Sequence, residues 1–263
     1  MNKIMDRLQE MYAEVENMNY EIVGVFLQGS QNYGLSYEDS DVDSKAIVLP
    51  KFNDFVINAK PISTTHVCEN NEHIDLKSIQ LMFDCFKKQN INFIEILFTD
   101  YKILNPKYAD LFQPLLDNNE MIARYNNYAS VNCIAGMAME KYKALEHPYP
   151  ATMDKIEKYG YDGKQLSHEL RLAEFLPRYI NGESYADCLI SKQRDYLINV
   201  KCNKEYGLED ARVLAQKTLS LITSIKAKYM NRNAVKINKD VDILLNEVLV
   251  NIMKHNFRTE LGV

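Results

Sequence analysis

The feature that most limits the fold of this chain is a change of hydrophobic period at Pro106. Short apolar runs rich in β-branched residues lie only before it, at 20–28, 41–49, 62–68 and 72–76. Runs of that length and composition read as strands. After it, apolar residues recur at helical spacing over 111–116, 121–145, 163–179, 184–200, 209–230 and 241–255. Two helices are expected in the first part. One carries Ile4, Leu8, Met11 and Val15, and the other Ile79, Met82, Phe83 and Phe86. The run 91–99 is apolar without a clear period, and 146–163 reads as a long connection between helices. The pattern therefore predicts an α+β protein, with a small mixed-sheet head over 1–105 and an all-helical region over 106–263.

Composition narrows the classes of function. Hydrophobic residues make up 46% and charged residues 25%, enough for an ordinary core and against wholesale disorder. A net charge of −5 gives no global pull toward nucleic acid or an anionic membrane. It leaves room for a nucleotide substrate, since bound cations can supply positive charge locally. The five cysteines are dispersed and form no C-x-x-C pair, which argues against a disulfide framework or a structural zinc site. The first residues carry Asp6, Glu10, Glu14 and Glu16, unlike a signal peptide, and no uncharged run approaches a membrane span. A cytoplasmic protein with no membrane partner is expected.

The chemistry is concentrated in LQGSQNYGLSYEDSDVDSKAIVL, residues 27–49. A strand runs into Gly29-Ser30, where the chain must turn sharply; glycine takes backbone angles that other residues avoid. If a helical turn follows, its free N–H groups and the Ser30 hydroxyl converge on one spot suited to phosphate. A side chain at Gly29 is expected to crowd the turn and so weaken nucleotide binding. Asp41-Val42-Asp43 follows on an expected strand, where residues i and i+2 share a face. Two carboxylates roughly 6.5–7 Å apart at Cα suit magnesium, or manganese in its place, which takes hard oxygen ligands and recruits substrate phosphates for the rest. Asp75, on the non-core face of a neighbouring strand, is the best third carboxylate, with Glu72 and Glu69 as weaker options.

Gly29-Ser30, Tyr33-Gly34 and Ser40-Asp41-x-Asp43 together resemble the signature of the polymerase-β-like nucleotidyltransferase superfamily. The full run, G-S-x-x-Y-G-x-x-x-x-x-S-D-x-D, resembles that of a bacterial and phage family of nucleotidyltransferases called YcgL-like. The segment Gly160-Tyr161-Asp162-x-Lys164-x-x-x-His168-x-x-Arg171-Leu172 is similar to a second motif of that family, and 90–98 to a third. The likeness covers about residues 20–180. It implies a nucleotidyltransferase head, with the helical region completing the cleft. It implies that Asp41 and Asp43 bind the metals, and that Asp75 bridges metal to an acceptor hydroxyl. The reaction implied is in-line attack on the α-phosphate of a nucleoside triphosphate, with release of pyrophosphate. The acceptor class stays open among RNA, protein and small molecule.

Further residues are candidates for nucleotide contact. Lys164, His168 and Arg171 fall one turn apart on one helix face and can meet a triphosphate or acceptor; the plainer reading pairs them with Asp162 or Glu169. Lys45 shares the strand face of Asp43 and can screen phosphate, and Tyr33 can stack on a base or pack under the turn. The competing reading of the whole chain is a non-catalytic nucleotide-binding or antitoxin-like regulatory module.

Overall fold

The computed structural model describes residues 3–37, 40–150 and 152–263. Along the chain run α1 (Lys3–Asn17), β1 (Glu21–Gln28), β2 (Asp43–Leu49), α2 (Phe52–Val56), β3 (Ser63–Val67) and β4 (His73–Ser78). Then come α3 (Ile79–Lys87), α4 (Ile91–Ile94), β5 (Lys102–Leu104), α5 (Ala109–Asp117) and α6 (Asn119–Ala123). The rest is helical: α7 (Asn127–Ala144), α8 (Met153–Tyr159), α9 (Gly163–Ile180), α10 (Tyr185–Leu189), α11 (Arg194–Lys201), α12 (Leu208–Arg232) and α13 (Lys239–Leu261). The protein is thus α+β, with a mixed sheet in its N-terminal part and a helical C-terminal region.

The sheet has the order β3-β4-β2-β1-β5, with β2 and β4 parallel and the other pairs antiparallel. Alternation along each strand sorts the two faces. Ile22, Val25 and Leu27 of β1, Ala46 and Val48 of β2, and Ile74 and Leu76 of β4 form one buried layer. Helix α1 closes it with Leu8, Met11, Tyr12 and Val15, the i, i+3, i+4 stripe of an amphipathic helix. On the other face Phe26 meets Phe112 of α5 at 5.5 Å between ring centroids.

Several elements differ from expectation. The second strand begins at Asp43, so Asp41 precedes it. The apolar run 91–99 is a helical turn followed by a 3-10 turn, Glu95–Leu97, and β5 is an additional strand of three residues. The single helix expected over 121–145 is two, because Asn126 caps a fresh start by accepting from Ala129 N at 3.0 Å. The expected long connection contains α8, and the helix expected over 184–200 divides into α10 and α11.

By internal contact the chain forms two compact units. The first comprises Met1–Asn32, Ser40–Tyr125 and Ile237–Val263; the second comprises Tyr33–Asp39 and Asn126–Lys236. In the first, α13 packs on α5 and α3, and its Asn256 donates to Pro50 O at 3.0 Å. In the second, α7, α9 and α12 pack on one another and α11 packs on α9.

Candidate functional site

In the first unit, register gathers the acidic residues. Gln28 of β1 pairs with Asp43 of β2, so the Gly29-Ser30 turn leaves the sheet beside the start of the acidic strand. Lys45 pairs in parallel register with Asp75, and paired residues of neighbouring strands point to the same side. Asp43, Lys45, His73 and Asp75 therefore share the face opposite α1, while Val42 between the two aspartates is buried in the α1 layer.

The individual contacts refine this picture. Asp43 Oδ1 accepts from the backbone N–H of His73 at 2.9 Å and lies 3.2 Å from its Nδ1. Asp41 is exposed. Lys45 is only 4% exposed; its ammonium lies 2.8 Å from Asp75 Oδ2 and 4.2 Å from the centroid of Phe93. Lys45 is thus a buried partner of Asp75, and it engages only one oxygen of that carboxylate. Glu72 is otherwise committed. Burial works against its charge, yet hydrogen bonds from Arg7, Asn70 and the Val42 N–H hold its carboxyl below the usual range. Its partners on the α1 side make it a structural anchor, and Glu69 is exposed in the turn before it.

The glycine turn is a single 3-10 turn, Gly29–Gln31, with Gly29 at φ +85°, a left-handed value that side chains disfavour. An added Cβ at Gly29 would meet nothing within 4 Å. The expected crowding is therefore absent, and the glycine requirement is one of backbone angle. The Gly29 N–H donates to Glu95 Oε1 at 3.2 Å, so the donors that the turn offers an anion begin at Ser30. A cavity of about 690 Å³ opens at the other end of β1 and β2, near Glu21, Leu49 and Tyr108, and none of the expected site residues lines it.

The second unit holds the remaining candidates on α9 and the segment 33–37. Gly160-Tyr161-Asp162 builds the start of the helix. Tyr161 donates to Tyr206 O at 2.8 Å, and buried Asp162 caps α9 by accepting from Lys164 N at 3.0 Å. Arg171 is 2% exposed, and its guanidinium stacks 3.7 Å from the centroid of Tyr33. Its Nε and Nη1 find no hydrogen-bond partner among the described residues. The plainer pairing with Asp162 or Glu169 is not what forms: Asp162 caps the helix, and neither oxygen of Glu169 has a partner among the described residues.

Positive charge is concentrated around this arginine. Burial pushes the His168 imidazole well below its usual range, and the nearby Arg171, Lys141, Lys164 and Lys201 push the same way. Burial also lowers the Lys141 ammonium, opposed by Glu140 and reinforced by Lys164 and Arg171. Lys201 donates to Leu35 O at 3.3 Å and lies over Tyr37. Such a group, with two guanidinium nitrogens of Arg171 unpaired among the described residues, is suited to an anion. Lys164, His168 and Arg171 were legible from one helix; Lys141 on α7 and Lys201 on α11 gave no sequence signal, since only packing brings them near.

No protein-family model matches the chain, and no curated protein matches it. Among the described residues no helix is long and apolar enough to cross a membrane.

Proposed function

We propose that the protein is a metal-dependent nucleotidyltransferase that moves a nucleoside monophosphate from a nucleoside triphosphate, ATP in the first instance, to an acceptor hydroxyl with release of pyrophosphate. The observation that carries this reading is the placement of Asp43 and Asp75 on one sheet face, beside the end of the strand that enters the Gly29-Ser30 turn. The donor set is all oxygen, as magnesium or manganese requires, so Asp41, Asp43 and Asp75 would hold the ions. When bound, such ions neutralise charge on the phosphates. Asp75 keeps one oxygen outside its Lys45 pair for an ion or the acceptor hydroxyl. Ser30 offers its hydroxyl and backbone to a phosphate oxygen. In the helical unit, taken by itself, Arg171 with Lys164 and neutral His168 would bind an anion such as a phosphate group.

A second reading, a nucleotide-binding regulatory module without chemistry, draws on the same Lys45–Asp75 pair. A buried ammonium already balances the third carboxylate and reduces the negative charge left for a cation. Incubation with magnesium, α-labelled triphosphates and pooled RNA, protein and metabolite acceptors separates the two. Transfer of label with pyrophosphate release is expected, and Asp41→Asn or Asp43→Asn should abolish it while leaving the melting temperature unchanged. Transfer at the wild-type rate in either variant would remove the metal assignment, and triphosphate binding without turnover would favour the regulatory module.

A further inference from the structure

We propose that Glu14, His66 and Cys68 form a second metal site, selective for zinc-class divalent cations and separate from the acidic face. One potential ligand atom from each lies within 4.8 Å of the other two. His66 Nε2 and Glu14 Oε2 are 3.2 Å apart. In a tetrahedral complex with metal–ligand bonds of about 2.0 Å, neighbouring nitrogen and oxygen ligands lie about 3.3 Å apart, and a sulfur ligand sits slightly farther. The pair thus already has nearly the spacing of adjacent zinc ligands.

The fold explains the convergence. Residues two apart on a strand share a side, and His66 pairs in register with Ile74, which faces α1. His66 and Cys68 consequently point toward α1, where Glu14 lies in the last turns of the helix. Asp75 pairs with Thr65 and belongs to the opposite face, so the two metal sites lie on different sides of the sheet.

The donor set decides the class of metal. Thiolate, imidazole and carboxylate suit zinc or cobalt, whereas magnesium prefers oxygen alone. Binding would form a sulfur–metal bond and pass the Cys68 thiol proton to solvent, with neutral His66 donating through Nε2. Arg7 contacts Glu14 through Oε1 at 3.4 Å, so a cation at Oε2 would take the place of the Glu14 contact with His66 and leave the Arg7 contact intact. Cys68 is buried, while the side chains of His66 and Glu14 are 37% and 34% exposed, so a cation would enter from their side. Three protein ligands leave one tetrahedral position for water. The site would tie α1 to β3, an edge strand of the sheet. The dispersed cysteines carry no zinc signature because the group uses only one of them.

The test is cobalt and zinc titration of the metal-free full chain under a phosphine reductant. One equivalent of cobalt should produce a thiolate-to-cobalt charge-transfer band and tetrahedral ligand-field bands, both displaced by zinc and unaffected by excess magnesium. Cys68→Ala should abolish the charge-transfer band. His66→Ala, at a partly exposed ring, should weaken zinc binding by roughly ten- to a hundredfold or more. Asp43→Asn should bind zinc as the wild type does, which keeps this result independent of the nucleotidyltransferase reading. A folded wild type that shows no charge-transfer band, or zinc affinity unchanged in His66→Ala, would overturn the proposal. If Cys68→Ala does not fold, the His66→Ala titration decides.

Discussion

Replacing Arg171 with methionine should make the ligand-free protein more stable and its ligand response weaker. The guanidinium is 2% exposed, and two of its donors lack partners among the described residues. Each unsatisfied buried donor costs about 1–3 kcal/mol. The stack on Tyr33 returns about 1–2 kcal/mol, and the nearby Lys141 ammonium adds repulsion. Methionine keeps an apolar stem of similar length, so most of the packing survives. The net expectation is a gain of about 1–3 kcal/mol, in line with other buried charges replaced by apolar groups. In a chain of this size that is about 3–10 °C in melting temperature. A charged hydrogen bond to a phosphate contributes about 1.5–3 kcal/mol, so the upward shift given by triphosphate with magnesium should shrink or vanish in the variant. Thermal melts of both proteins, with and without ligand, read the two effects together. If Arg171→Met melts below the wild type without ligand, the arginine is a structural member of the core and its role in anion binding falls.

Three further outcomes are expected. Asp75→Asn should lose transfer and also about 1–3 kcal/mol of stability by denaturant titration, because it leaves buried Lys45 without its carboxylate; Lys45→Met in the same chain should restore stability but not activity, and an Asp75→Asn variant as stable as the wild type would contradict the ion pair. Gly163→Ala drives a Cβ into Val200 O and places it 2.9 Å from Asn203 Oδ1, so it should cost about 1–3 kcal/mol or more by wedging α9 from the end of α11; an unchanged melting temperature would refute that close approach. Burial raises the Glu169 carboxyl from 4.5 to about 8, so the fold favours its neutral form. Its contribution to stability should decline as pH rises from 4.5 and level off above about 8, and Glu169→Gln should flatten that decline; a pH profile of stability identical in the two proteins would count against the buried neutral carboxyl.

The sheet was legible where burial leaves a mark on sequence. β1 is apolar from Ile22 to Leu27 and stops at a glycine with positive φ, and β2 ends just before Pro50. β5 was not legible, because three residues are too few for a period and the strand is held by β1 and by Asn105, which donates to Ile22 O at 2.9 Å. Helix α8 has no buried residue and so left no apolar stripe. At the candidate site, alternation was enough to put Asp75 on the non-core face, but it could not show that Asp75 lies beside Lys45 or that their charges pair. Glu95 sat unnoticed inside an apolar run, since only the folded chain brings its carboxylate to Gly29. Glu14 and Cys68 meet across more than fifty positions, so spacing gave no hint of them.

Helix α13 belongs to the first unit although the whole of 126–236 precedes it in the chain. Its Asp242 pairs with Lys87 at 2.9 Å and accepts from Tyr125 at 3.0 Å, and Tyr108 donates to Asn256 at 3.1 Å. During synthesis the sheet must therefore wait for residues 239–261 to leave the ribosome before those contacts can close. The helical unit has all its segments earlier, so it can mature first. A truncation that keeps only 1–125 would strand the sheet in the unfinished state that the nascent chain passes through.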